Sequence, residues 1–399
     1  MDLELSDIQQ ELAGSLAKYL RSEYDQSTRE AILHSAEGIS RDQWASFAQM
    51  GLLGLAVPEA YGGAGMTFAE VGVVMEAFGR ALVLEPYLAT VVLGANALTL
   101  AGSEEQKQAV LPSVCEGTAF LAFAVLEPGS RYSVGSPATI AQGTGDLGPG
   151  SDSTVRPASQ SGGDTVTLRG EKSGVLGGDV ADHLIVTAME DGELGLFLVD
   201  ASAQGVHRIA HRQADGLGSA SVRFDDAPAQ RLDAAPAAEV VARVLDTANA
   251  AIMAEAVGAM EVSLRMTADY LKTREQFGAP IGANQALQHR AADMYATLEE
   301  ARSMALYARL AVSSGVEGAE KDRHRDVIAA KIIVDRCARH ISQESIQMHG
   351  GIGMTMEYPI GHYAKRLTVI ARTFDDADSL TAELAQLGGL IEPYAADLN

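Results

Sequence analysis

Tyr270-Leu-Lys-Thr-Arg-Glu-Gln-Phe-Gly-Ala-Pro-Ile-Gly282 joins two long segments with apolar residues at helical spacing. Arg274 and Phe277 are three apart, so on a helix they share one face. Gly278 and Pro280 break a helix, and Gln285 opens the next. An arginine beside an aromatic at a helix end can hold a phosphate and stack on a ring. The same residues also suit a surface arginine and a packed phenylalanine at a turn between helices.

Working outward, the downstream segments read as helices from about 284 to 314 and from about 322 to 348. Upstream, 244–272 is long and rich in small residues, including Ala248, Ala250, Ala251, Ala254, Ala256, Gly258 and Ala259. Small side chains let another helix or a flat cofactor approach closely. From Leu5 to about Leu111 the spacing is again helical: Leu12, Leu16 and Leu20 recur on one face, as do Trp44, Phe47 and Met50. Met75, Phe78 and Gly79 belong to another helix, and Glu85-Pro86 marks a turn.

Between about Phe120 and Asp233 the period changes to two. Residues 164–169 and 221–224 alternate, while 185–187 and 196–199 are rich in strand-forming residues. This predicts an antiparallel β domain. Gly143 to Gly163 is rich in Gly, Ser and Asp and predicts a long mobile loop. The reading is therefore an α+β chain in three units: 1–119 helical, 120–234 β, and 235–399 a helical bundle.

The chain has 399 residues, 47% of them hydrophobic, which is ample for a large core. Thirty basic against 53 acidic residues give a net charge of −23, which argues against a nucleic-acid partner. Cys115 and Cys337 are the only cysteines, so a disulfide framework or zinc site is not expected. No stretch has the length and apolarity of a membrane span, and the start lacks the pattern of a signal peptide. A cytoplasmic protein is expected.

Five motifs stand in a recognisable order. They are Val57-Pro-Glu-Ala-Tyr-Gly-Gly-Ala-Gly65, Glu127-Pro-Gly129, Lys272-Thr-Arg-Glu-Gln-Phe-Gly278, Gln347-Met-His-Gly-Gly-Ile-Gly353 and Glu357-Tyr-Pro359. From about Leu12 to about Ala382 the chain resembles the acyl-CoA dehydrogenase family. The resemblance implies a helical domain, a β domain and a four-helix bundle. It also implies FAD-dependent removal of two hydrogens from an acyl-CoA thioester, with electron-transferring flavoprotein as redox partner. A carboxylate takes the α proton, and the flavin takes a hydride from the β carbon.

Carried over residue by residue, the resemblance divides the site in two. Arg274, Phe277, Gln285, Gln347, Gly350, Gly351 and Gly353 match residues that reach across a dimer interface to the partner's FAD. The half that holds a flavin ring within its own subunit is altered. Leu126 stands for a threonine, Gly174 for a tryptophan and Leu176 for a threonine. The base is displaced as well. Phe374 stands at one family glutamate position, with Asp375 a single residue away, and Ala248 at the other, beside Asn249. Asp375 or Asp376 is either the base or part of a helix start, and Asp246 matches a family aspartate that is not the base. His349 reads as structural, and Arg131-Tyr132 as a loop surface or a contact to a CoA phosphate.

Two functions remain open from sequence. One is a self-sufficient homotetrameric FAD enzyme using Asp375 or a nearby acid. The other is a base-lacking subunit of a heterotetramer that completes a partner's FAD site. The second is similar to the small subunits of bacterial steroid side-chain or pimeloyl-CoA dehydrogenases. An oxidase or monooxygenase with an oxygen-accessible flavin is a third option. The acyl chain or steroid is not specified.

Overall fold

The computed structural model describes residues 5–143, 165–313, 320–355 and 357–388. The loop expected at 143–163 lies outside them except for Gly143.

Six helices open the chain: α1 (Asp7–Glu23), α2 (Gln26–Leu33), α3 (Arg41–Gln49), α4 (Phe68–Ala81), α5 (Asn96–Ala101) and α6 (Glu104–Cys115). Their starts are written locally. Ser6 with Gln9, Thr67 with Glu70, and Ser103 with Gln106 each exchange side-chain and backbone hydrogen bonds as capping boxes. Between α4 and α5, Leu88–Ala95 winds as a fully buried π-helical segment, a feature the apolar spacing did not reveal.

Seven strands follow: β1 (Leu121–Ala124), β2 (Ile140–Gly143), β3 (Thr165–Leu176), β4 (His183–Glu190), β5 (Glu193–Asp200), β6 (Val206–Arg212) and β7 (Gly218–Leu232). The sheet runs β1-β4-β2-β3-β7-β5, and β5 pairs back onto β4, so it curls into a barrel around Leu168, Val186, Phe197, Val222 and Phe224. Most pairings are antiparallel, as expected. The exceptions are β1 and β2, which both pair parallel with β4. Alternation along one strand cannot register the direction of its neighbour.

The 37-residue helix α7 (Ala237–Thr273) runs through the core. It begins seven residues before the expected Val244 and packs against α8 (Gln285–Ser313) and α9 (Glu320–His349). The short helices α10 (Ile360–Ile370) and α11 (Ala377–Gln386) close this unit. Two glycines set the crossing of α4 and α7. A Cβ on Gly79 would lie 1.9 Å from the Glu255 carbonyl oxygen, and one on Gly258 would lie 2.0 Å from that of Glu76. The backbones meet too closely for any side chain.

Arg366 of α10 ties the units together. Its Nε and Nη2 each donate to Glu255 of α7 at 2.6 Å, and its Nη1 donates to Asp215 of the β6–β7 turn at 2.7 Å. All three side chains are buried. Burial alone would pull the guanidinium pKa down, but Glu255 and Asp215 hold it above its ordinary value. We expect Arg366→Met to cost about 3–5 kcal/mol, because two buried carboxylates lose the guanidinium that pairs with both. The check is the denaturant midpoint. A loss below about 1 kcal/mol would mean that water reaches the pair.

Candidate functional site

The expected site residues fall into an outward-facing group and an inward-facing one. The outward group begins where α7 ends, at Thr273. Arg274 is already extended (φ −76°, ψ 119°), so it does not share a helix face with Phe277. Instead β8 (Glu275–Gln276) and β9 (Ala279–Pro280) form a two-residue hairpin. Phe277 (φ +54°) and Gly278 (φ +83°) take its tip, and the Ile281 N–H donates to the Arg274 carbonyl at 2.8 Å. Left-handed backbone at both central residues is what such a tight hairpin demands. It leaves the Phe277 ring 106% exposed.

Beside this hairpin lies Gly350–Met354, the 3-10 turn that ends α9. Tyr270 stacks on His349 at 4.5 Å, and Tyr358 packs on the same imidazole at 5.0 Å, which fixes the hairpin base against the glycine turn. His349 Nδ1 donates to the Ser345 carbonyl at 2.7 Å, and its Nε2 has no partner. Burial pushes its pKa down, so the ring is neutral and serves as the pedestal of the turn. Gly350 (φ +62°) and Gly351 have open space above Cα, whereas a Cβ on Gly353 would meet His349 Cβ at 3.0 Å. Gln285 and Gln347 are exposed. A guanidinium, two amides, an uncovered aromatic and a bare glycine backbone are the donor set a dinucleotide diphosphate and its adenosine end require. The outward face fits that group.

The inward group does not fit a flavin ring. Leu126 and Leu176 are half-buried against the helical core. Gly174 sits at a register shift between β3 and β7 with φ +61°, so the backbone itself departs from a regular strand. A tryptophan there would have to take the left-handed conformation, at about 1–2 kcal/mol. The cavity lined by Asn249, Phe374 and Asp375 is about 220 Å³, below the roughly 300–1,000 Å³ typical of sites for drug-sized ligands. Tyr132, half-buried, lines this cavity beside Asp375, and burial with the nearby carboxylates of Asp376 and Asp375 raises its pKa, so it is not set apart for a CoA phosphate. Arg131 stays exposed.

Asp376 caps α11, accepting from the N–H groups of Asp378 at 3.2 Å and Ser379 at 3.0 Å. Asp375 accepts from the Asp376 N–H at 2.8 Å and lines the cavity, as Phe374 does. Burial, with Glu383 and Asp376 nearby, raises its carboxyl pKa. Ala248 is fully buried in helix packing, and the neighbouring Asn249 presents an unpartnered Oδ1 to the cavity.

Sequence reading missed two ionic clusters, one behind the turn after β1 and one on the wall of this cavity. Glu127 accepts from Lys172 Nζ at 2.8 Å and from the Thr139 hydroxyl at 2.6 Å, besides the N–H groups of Ala138 and Thr139. Burial would raise its pKa, but these bonds hold it at about 2, and burial pushes Lys172 down to about 8. The pair pins the turn after β1 to β3. The second cluster centres on His324, whose Nδ1 donates to Asp246 at 2.7 Å and whose Nε2 donates to Glu383 at 2.9 Å; Arg323 also donates to Asp246 at 3.0 Å. The glutamate in Glu-Pro-Gly hinted at the first cluster. Nothing local hinted at the second.

The family models described as acyl-CoA dehydrogenase, N-terminal domain and C-terminal domain match residues 6–118 and 238–374. The chain is 27% identical over 368 residues to acyl-CoA dehydrogenase FadE27 of Mycobacterium tuberculosis, covering 91% of this chain and 92% of that one. Among solved structures, a variant of the steroid ACAD Tcur3481-Tcur3483 is similar at 30% identity with a TM-score of 0.83, covering 96% of this chain and 97% of that one. The ChsE4-ChsE5 complex of Mycobacterium tuberculosis is similar at 25% identity with a TM-score of 0.83, covering 97% and 98%.

The two carboxylates raise His324 from 6.5 to about 10. A raised histidine stabilises the fold fully below its unfolded value of about 6.5, and that contribution is lost as pH climbs toward 10. The melting-temperature gap between the wild type and His324→Gln should therefore be widest near pH 6 and close progressively toward pH 10. A gap that widens with pH would reverse the assignment.

Proposed function

Because the chain belongs to the acyl-CoA dehydrogenase family, we propose that it is the base-lacking subunit of a heteromer and completes the FAD site of a catalytic partner. The observation that carries this reading is the asymmetry of the two half-sites. Phe277 stands fully exposed on its hairpin beside Arg274 and the open Gly350–Gly351 backbone, while Tyr132, Asp375 and Glu383 line the chain's own small cavity. Carboxylates there also repel a diphosphate. A resemblance to the steroid ACAD and to the ChsE4-ChsE5 complex supports a heteromeric arrangement. The three units 1–119, 120–234 and 235–399 are part of the same proposal.

When bound, FAD supplies the hydride acceptor for α,β-dehydrogenation of an acyl-CoA thioester, and electron-transferring flavoprotein takes the electrons onward. In this reading Arg274 neutralises the diphosphate, Phe277 stacks against the adenosine end, and the Gln285 and Gln347 amides orient it. Gly350, Gly351 and Gly353 bring backbone close to phosphate oxygen. The partner contributes the ring pocket and the base.

Expressed alone, the chain should purify with little FAD. Co-expressed with a base-bearing partner, it should give about one FAD per two chains. Arg274→Ala should then strip most of that FAD, since a charge-assisted bond to phosphate of about 1.5–3 kcal/mol is lost. Flavin absorbance against protein concentration reads all three samples. A fully loaded, actively dehydrogenating homomer would overturn the subunit role.

A self-sufficient enzyme is the second reading, and one observation favours it: Asp375 lines the cavity with its pKa raised by burial, as a general base requires. We expect Asp375→Asn to change turnover of the purified complex less than tenfold. A fall of several orders of magnitude at unchanged FAD content would instead assign the base to this chain.

A further inference from the structure

Away from that site, a cleft of about 490 Å³ opens between α1, α2, α4, α7 and α10. Its volume lies within the roughly 300–1,000 Å³ of small-molecule sites. Leu20, Ala77, Ala81, Leu82, Val262 and Met266 make an apolar floor.

The charge on its walls is unusual for so acidic a chain. Arg21, Arg29, Arg80 and Arg265 all line it. Arg80 is matched by Glu76 and Glu261. Arg29 is only 6% exposed, and its recorded hydrogen bonds go to two carbonyls, Leu82 O at 2.9 Å and Asp215 O at 3.3 Å. Arg29 also feels the Asp215 and Glu30 carboxylates through space, whereas the exposed Arg21 and Arg265 are in no ion pair among the described residues. The facing carboxylates are Asp25, which caps α2 by accepting from the Thr28 N–H at 2.8 Å, and Glu30, which accepts from Gln26 at 3.0 Å. Arg29 is thus balanced by the Asp215 carboxylate that it shares with Arg366, and Arg21 and Arg265 are the guanidiniums left open at the mouth of the cleft.

We infer that this cleft binds an amphipathic monoanion, a carboxylate carried on an apolar body, as a ligand site separate from the cofactor face. The carboxylate meets the guanidiniums of Arg21 and Arg265, and the apolar body covers the floor between α4 and α7. Arginine suits this head group because its planar fork matches a carboxylate in two parallel hydrogen bonds. The inference does not depend on the subunit role, since neither the cleft nor its arginines belong to the flavin half-sites.

The probe is decanoate, titrated calorimetrically into the full chain, alone and in the FAD-loaded complex. Saturable one-to-one binding is expected, with Kd in the range of about 0.1–1 mM. Decanamide, of the same size but uncharged, should bind at least tenfold more weakly. The exposed substitutions Arg21→Gln and Arg265→Gln, which leave the core intact, should together weaken decanoate at least tenfold. Ala77→Trp should abolish binding by filling the floor. Four results would overturn the site: no saturation, equal affinity for decanoate and decanamide, unchanged binding in the double arginine variant, or arginine variants that dissociate the complex without altering decanoate binding. The last result would make the cleft a protein interface.

Discussion

Arg366 is where the architecture is held. Its guanidinium joins α10 to α7 through Glu255 and to the β barrel through Asp215, with all three groups buried. Such a network is no bargain in stability compared with an apolar substitute, because taking charges out of water is costly. What it provides is directional: the planar fork accepts its two carboxylates only when helix and barrel turn sit in one relative placement. The inward half of the candidate site depends on that placement, since its cavity lies between barrel and bundle.

From this frame the two halves of the site diverge. The outward half is built from chain ends and turns, where left-handed backbone at Phe277, Gly278 and Gly350 exposes an aromatic, a guanidinium and bare glycine. Tyr270, His349 and Tyr358 stack beneath them and keep the turn rigid. An uncovered phenylalanine on a rigid tip is expensive to leave in water, which argues for a surface made to be covered. The inward half is built from packed residues and internal ion pairs. Glu127 with Lys172 locks the turn after β1, the bulge at Gly174 bends β3, and His324 bridges two carboxylates at the cavity wall. Most of its polar groups pair with one another, the Asn249 Oδ1 at the cavity being an exception.

The sequence by itself determined the local elements. Helical spacing located the start of α8 and the end of α9 to within a residue, capping residues explain several helix starts, alternation marked β3 and β7, and strand-forming residues marked β4 and β5, while β2 and β6 were not expected. The motif residues lie together on a hairpin and a glycine turn, both local structures, although their spacing suggests that Arg274 and Phe277 share a helix face. Only tertiary structure decided the rest. Arg366 finds its partners 111 and 151 residues away. Asp246 and His324 are 78 apart, and Tyr132 meets Asp376 across the boundary between barrel and bundle. The parallel pairing of β1 with β4, the left-handed kink at Gly174 and the arginine-lined cleft likewise come from segments distant in the chain. Periodicity reports which face of an element is buried. It carries no record of which buried or charged groups will face each other, because that follows from packing whole elements together.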